Sequence, residues 1–306
     1  MADVLPPPLA GNKLNEDESR DLVIGCVGNY EWDKVALWAN SLRLSGYTGK
    51  KVLIVYTGSK AFLDTAAAEG FFLVTFARDA AGNAVNPRDK SVIVVDRFHD
   101  MWLLDREPAF KALGFPDCRY LITTDVRDVV FQTNPSAWLS ANAKRPIIVG
   151  SEAIRYRDEE WGRQNLVASF GRHVYETMKD DVIYNAGTLA GRWSVMKDMF
   201  LQIYLMSRNS PHRDPDQSAL NILLQSSAYK EFVQYNTLAD GWCCNVGTVA
   251  DPRKPHYESV LVEQGAMVVD EASSTVKNKE GKTFCLLHQY DRNPALNAMV
   301  TKKYGG

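Results

Sequence analysis

Long apolar runs are missing from this chain. None approaches the ~20 residues needed to cross a bilayer, so no membrane-spanning helix is expected. The opening stretch MADVLPPPLAGNKLNEDESRD has neither a basic n-region nor an apolar h-region, which excludes a signal-peptide reading. Its run of prolines followed by charges predicts a loose tail over residues 1–20. An excess of one charge is missing too. The chain has 35 Lys and Arg against 37 Asp and Glu, a formal net charge of -2, which gives no general attraction to nucleic acid or anionic lipid. An anionic ligand would need a local cationic site or a bound metal. Cysteine is scarce, limited to Cys26, Cys118, Cys243, Cys244 and Cys285, and the adjacency of Cys243 and Cys244 breaks the spacing of a zinc site. Several of these residues lie in apolar runs (VIGCVG, GWCCN, TFCLLH), as reduced thiols packed like small hydrophobes do. A reducing, cytoplasmic compartment follows as the expectation.

What is present is an alternating rhythm. From Asp21 onward, strand-like apolar runs (LVIGCV, KVLIVY, FFLVTFA, SVIVV, YLITT, PIIVGS) are separated by helical periods. In EWDKVALWANSLRLSG, for example, Trp32, Val35, Ala36, Ala39 and Leu42 share one helical face. A helix is expected over Arg97–Leu104, and another through SVMKDMFLQIYLMSR with Met196, Phe200 and Ile203 facing one way. A third is expected to start with Asp214 as N-cap and Pro215 as its first residue. Strands that read as continuous apolar runs are buried on both faces, which predicts a mainly parallel sheet flanked by helices. The later runs EFVQYN, AMVVDE and TFCLLHQY predict a smaller part of mixed strands. No internal repeat or Gly/Ser linker interrupts the chain, so residues 21–306 are expected to form a single α/β domain.

The segment LITTDVRDVV, residues 121–130, sends two acids, Asp125 and Asp128, off the end of a core strand. In open α/β sheets ligands bind beyond the carboxyl ends of the strands. Carboxylates there suit Mg²⁺ or Mn²⁺, which take oxygen ligands from one or two acids plus substrate phosphates. The alternative is an Asx-type turn in which Asp128 pairs with Arg127 or a helix end. The first strand runs out at VGNYEWD on the same rim, if both strands are parallel and central. That loop carries no Walker pattern, and GCVG is too short for a dinucleotide fingerprint.

Four segments then set a direction. LITTDVRDVVFQTNP, YNAGTLAGRWSVMKDMF, PDQSALN and LLHQYDR occur in that order and, taken together, resemble the nucleotide-sugar glycosyltransferases of the GT-A fold, in particular the retaining glycogenin and galactosyltransferase-like families. The first resembles the acidic motif of that fold, the second its Asn-Ala-Gly segment, the third its Asp-Gln-x-x-x-Asn stretch, and the fourth its late metal-binding histidine. The acidic motif departs from the family's Asp-x-Asp, because Arg127 occupies the second acid's usual place when Asp125 is the first. Arginine ligates no cation. Asp128 is therefore the expected direct ligand, with Asp125 serving the metal through water or binding the ribose. His288 would complete the metal shell, and its nitrogen favours Mn²⁺ over Mg²⁺.

The resemblance further implies a UDP- or GDP-linked sugar donor and a glycan or other hydroxyl acceptor. Val27, Gly28, Asn29 and Tyr30 would cradle the nucleotide, and Arg97 would clamp the diphosphate. Asn185, Ala186 and Gly187 would line the donor-sugar pocket, and Asp216 and Gln217 would bind sugar hydroxyls. Asp216, Glu152 and Asn185 are the candidate catalytic residues, with retention of configuration expected. Glu152 and the charged run RYRDEEWGRQN (155–165) are expected to follow a strand end, as an acceptor wall or as a solvated face. His99, His173, His212 and His256 read as surface or packing residues. Two other functions stand beside this one. The irregular acidic motif would suit a catalytically inactive nucleotide-sugar or glycan-binding module. A sugar-nucleotide pyrophosphorylase would need a Gly-rich basic loop after the first strand, which VGNYEWDK lacks.

Overall fold

Strands β1 (Leu22–Gly28) and β6 (Leu121–Thr124) lie side by side and parallel at the centre of the molecule, with Leu22 opposite Leu121 and Ile24 opposite Thr123. The computed structural model describes residues 18–81, 84–85, 97–103, 118–208, 210, 214–263 and 267–305. The expected strand SVIVV and most of the tail lie outside these residues, as do Leu104, His212 and the side chain of His99. Beyond β1 follow β2 (Lys50–Thr57) and β3 (Phe72–Thr75), both parallel to it. Beyond β6 come β10 (Thr188–Gly191), β8 (Ile147–Arg155) and β11 (Val233–Asn236), with β9 (Val182–Tyr184) antiparallel on β8. Within the β3-to-β11 path only β10 runs against the rest. The short pair β4 (Ala77–Arg78) and β5 (Ala84–Val85) stands apart.

Both faces of this sheet are covered, as the unbroken apolar runs require. Alternate residues point to opposite sides of each strand. Ile24, Ile54 and Leu121 therefore pack with Phe98, Met196, Phe200 and Ile203, while Val23, Leu53 and Ile122 pack with Val35, Trp38, Leu42 and Phe62. The first group belongs to α3 (Arg97–Leu103) and α7 (Trp193–Ser207), and the second to α1 (Asp33–Leu44) and α2 (Lys60–Ala68). In α1 the buried stripe is Val35, Trp38, Ala39 and Leu42, so the face is turned toward Trp38 and away from Ala36. Trp38 is drawn in because its indole N–H finds the Thr124 hydroxyl at 2.7 Å, and a buried Trp needs such a partner.

The remaining helices are α4 (Pro135–Asn142), α5 (Glu160–Phe170), α6 (Arg172–Met178), α8 (Asp216–Gln225), α9 (Val246–Val249) and α10 (Pro294–Tyr304). Helix α8 starts one residue later than its sequence suggests. Pro215 has φ −82° and ψ −8° and is itself the N-cap, so Asp214 stands before the cap. A second, three-stranded sheet joins β12 (Cys243–Asn245), β15 (Leu286–His288) and β7 (Val129–Phe131), parallel between the first two and antiparallel between the last two. The hairpin β13 (Met267–Asp270) and β14 (Thr275–Asn278) completes the mixed-strand part. The cysteines are all free, with Cys243, Cys244 and Cys285 buried. Among the described residues no helix is long and apolar enough to cross a membrane.

At the base of the sheet, Asp21 and Arg119 tie the starts of β1 and β6 together. Asp21 is fully buried, and Arg119 Nε donates to its Oδ1 at 2.8 Å. The Tyr120 amide donates to the same oxygen. Removing one member of a buried pair strands the other charge, at a cost of about 3–5 kcal/mol. Asp21→Ala is therefore expected to lower the urea midpoint by the equivalent of that energy while leaving the m-value unchanged.

Candidate active site

Asp125 leaves the carboxyl end of β6 with its amide donating to the Gly187 carbonyl at 2.9 Å. Val126 turns inward beneath β1, where it is 2% exposed. Gly25 makes that possible, since a Cβ on it would meet Val126 Cγ1 at 2.2 Å. With Val126 anchored, Asp125 faces the cavity described below and Arg127 stands about half exposed. Asp128 then folds back, its carbonyl accepting from the Gln289 amide at 2.7 Å, and β7 begins. In the β7–β15 ladder His288 stands opposite Val129.

Two segments far apart in sequence thus meet. His288 Nε2 is 3.5 Å from Asp125 Oδ2 and 3.9 Å from Asp128 Oδ1. One ligand atom from each of the three residues lies within 4.8 Å of the others. His288 is buried, and among the described residues neither ring nitrogen makes a hydrogen bond of good geometry, Asp125 Oδ2 standing 3.5 Å from Nε2. An unsatisfied buried polar group costs about 1–3 kcal/mol, so such an imidazole calls for a ligand. Two carboxylates and one imidazole converging on one point form a donor set suited to a divalent cation.

The electrostatics point the same way. Burial opposes charging of His288, but the proximity of Asp125 and the charges of Asp128 and Glu152 outweigh it and lift its pKa above the ordinary 6.5. Burial also disfavours the Asp125 carboxylate, yet the charge of Arg97, followed by His288, holds it well below the usual range. Asp128 goes up, because burial dominates and His288 only partly offsets it. Together these shifts describe a place short of positive charge.

Arg97, the first residue of α3, ties the rim together. Its Nη1 donates to Asp125 Oδ1 at 2.7 Å, and its Nη2 donates to Asp216 Oδ2 at 3.0 Å and to the Ala186 carbonyl at 3.3 Å. Gly187 must remain glycine, because a Cβ there would lie 2.5 Å from Asp125 Oδ2. Gln217 Oε1 accepts from the Ala186 amide, and its Nε2 donates to Glu152 Oε1 at 3.1 Å. Asn185 Nδ2 donates to the same oxygen at 2.8 Å.

Glu152 does not follow a strand end; it lies inside β8. Between Ser151, paired with Tyr184, and Arg155, paired with Val182, the strand carries three residues against one. Ala153 adopts a left-handed φ of 57°, and its amide donates to the Ser151 hydroxyl. Such bulges re-aim side chains, and this one delivers Glu152 to the wall of a cavity of about 1230 Å³. Burial raises the Glu152 pKa, while its bonds from Asn185 and Gln217 oppose that rise.

Asp125, Arg97, Glu152, Asn185, Ala186, Gly187, Asp216, Gln217 and His288 all line this one cavity. Asp128 stands behind Asp125, beside His288. Val27, Gly28, Asn29 and Tyr30 are on the adjoining strand end but are not among the described residues lining the cavity. Val27 is buried in the core, Asn29 has a left-handed φ of 57°, and Tyr30 is half-buried within electrostatic reach of Arg127. His173 and His256 stand outside the cavity.

Sequence reasoning passed over several lining residues, among them Cys26 and Tyr56 at the inner end and Gly247, Arg253 and Lys254 on the far wall. Gly247 sits against Gln289, whose Oε1 would be 1.8 Å from a Cβ there. For Arg253 and Lys254 the signal was the DPRKP turn, which brings two cations together.

No protein-family model and no curated protein sequence matches the chain. Solved structures do. The galactosyltransferase LgtC in complex with donor and acceptor sugar analogues is 12% identical with a TM-score of 0.50, over 92% of this chain and 95% of LgtC. An active-site mutant of LgtC is 13% identical at the same TM-score, over 87% of this chain and 86% of the mutant. The bifunctional glycosyltransferase WbbM is 12% identical at 0.50, over 94% of this chain and 52% of WbbM. The fold is of the GT-A type. Likeness at such identities concerns architecture, and the chemistry must come from the residues just described.

Because the His288 pKa is raised, its contribution to stability is complete below the unfolded-state value and is lost as pH rises through the folded one. In metal-free protein the His288 imidazole proton resonance is expected to titrate above pH 6.5. In Asp125→Asn its midpoint should move down. An unchanged midpoint would show that Asp125 does not set the charge of His288.

Proposed function

We propose that the chain is a metal-dependent glycosyltransferase that moves a sugar from a UDP- or GDP-linked donor to the hydroxyl of a glycan or similar acceptor, with retention of configuration. The observation that carries this reading is the buried His288 beside Asp125 and Asp128 in a GT-A fold. Asp125, Asp128 and His288 would hold Mn²⁺ or Mg²⁺, with Asp128 and His288 as direct ligands. A divalent cation there supplies Lewis-acid stabilisation of the negative charge that grows on a departing nucleoside diphosphate.

The chain's own residues do the rest. Arg97, fixed by Asp125 and Asp216, presents a guanidinium beside the place for the diphosphate. The small Ala186 and Gly187 let a sugar approach the backbone closely. Asp216 and Gln217 orient its hydroxyls. Glu152, held by the amides of Asn185 and Gln217, faces the positive charge that develops on the sugar ring in glycosyl transfer. A carboxylate held by two amide donors suits stabilising that charge better than abstracting the acceptor proton, which supports retention. Gly28, Asn29 and Tyr30, beside the cavity at the strand end, would take the nucleotide at the outer rim, with Tyr30 against the base, while the buried Val27 only anchors the strand. The free cysteines fit a reducing, cytoplasmic setting.

The test is release of nucleoside diphosphate from a panel of nucleotide sugars with Mn²⁺. Turnover is expected to vanish with chelator. It should fall by roughly 10²–10³-fold in Asp128→Asn and in His288→Ala, the range set by losing one electrostatic stabiliser of a transition state. Both variants should also lose the Mn²⁺-dependent thermal stabilisation by the donor. Tight donor binding without turnover, even with glycan acceptors supplied, would instead identify an inactive sugar-nucleotide binder.

A further inference from the structure

The far wall of the cavity carries an arrangement that the donor chemistry does not use. Trp161, on the first turn of α5, is 46% exposed. Of the exposed large hydrophobic side chains among the described residues, it alone lines the cavity. An exposed indole lining a cleft is informative in a way that scattered surface valines are not. The turn that presents it is rigid. Glu159 caps α5 by accepting from the Gly162 amide, and it also accepts from the Tyr257 hydroxyl at 2.8 Å. Gly162 is packed so closely on β9 that a Cβ would meet Ile183 Cδ1 at 2.9 Å.

The same wall presents two cations that are already neutralised. Arg253 is gripped by the buried Asp251, with Nε to Oδ1 at 2.9 Å and Nη2 to Oδ2 at 2.7 Å. Lys254 lies over the Tyr257 ring and 3.5 Å from Glu159. Each of these two cations has its acid, so both can act as hydrogen-bond donors with their charge already answered. Aromatic platforms with a few fixed polar groups are how concave sites orient ligands. The ligand that fits an indole face and neutral hydrogen-bonding groups is an uncharged pyranose, which has one apolar ring face and a rim of hydroxyls.

We propose that Trp161, with Arg253 and Lys254 lining the same cavity, forms the acceptor subsite and that the acceptor is a neutral pyranose stacked on the indole. This rests on the glycosyltransferase reading, because it assigns the second substrate of the same cavity. Trp161 is then a specificity-determining residue.

The experiment uses the full chain and neutral methyl pyranosides (galactoside, glucoside, mannoside) against methyl glucuronide. Binding is followed by isothermal titration calorimetry in the presence of Mn²⁺ and nucleoside diphosphate, a readout that does not depend on the indole being replaced. Expected is saturable binding of at least one neutral pyranoside, weakened roughly tenfold in Trp161→Ala, the scale of one aromatic contact, and partly restored in Trp161→Phe. Thermal stabilisation by donor plus Mn²⁺ should be unchanged in both variants, which also reports that they fold. Equal pyranoside binding by wild type and Trp161→Ala, absence of neutral-pyranoside binding, or preference for the glucuronide would overturn the assignment. So would weakened nucleotide stabilisation in Trp161→Ala, which would place a base on the indole. Failure of the donor reading itself appears elsewhere, as His288→Ala leaving Mn²⁺-dependent donor stabilisation intact.

Discussion

The pairing of β15 with β7 makes one site out of two distant stretches of the chain. Without that ladder, His288 has no reason to meet the acids that follow β6. With it, the register alone sets His288 opposite Val129, directly after Asp128. The clasp is reinforced where the Tyr290 hydroxyl donates to the Arg127 carbonyl, between residues 163 positions apart. Closing so long a loop is entropically unfavourable, and it is offset by burying Leu286, Leu287, Val130 and Phe131 completely. The buried apolar residues of β7 and β15 thus hold the second sheet together, while the residue at its rim is an imidazole set beside two acids.

Around that clasp the charges form a graded set. Arg97 satisfies Asp125 and Asp216 on the open side, and Glu152 is answered only by neutral amides. Arg127 Nη2 reaches Asp128 Oδ2 at 3.4 Å, the pairing the sequence allowed, while Asp128 Oδ1 faces His288 Nε2 across 3.9 Å.

Much of this was legible in the sequence, for physical reasons. Continuous apolar runs such as LVIGCV and KVLIVY have to be buried on both faces, and that alone calls for a parallel sheet covered by helices. The acids after YLITT were visible because charge following a buried strand has few structural excuses. The antiparallel β10 was not legible, since TLAG is too short to show a direction. Nor was the aim of Glu152. Its strand continues four residues past PIIVGS, and the decisive event is a backbone torsion at Ala153, for which no side-chain pattern exists. The start of α8 slipped by one because Pro215 suits either N1 or the cap, and here its carbonyl accepts the first helical bond, from the Ala219 amide. Trp161 appeared only as the aromatic in a charged run; its exposure inside a cleft is a tertiary fact.

The bulge in β8 has an implication for how this protein can change. An alanine held at φ 57° in mid-strand carries a conformational penalty that glycine would not. A variant library sorted only for thermal resistance should therefore drift toward glycine at this position. The released backbone would let the neighbouring carboxylate wander, so alanine at 153 holds Glu152 at the cavity wall at the expense of a strained torsion.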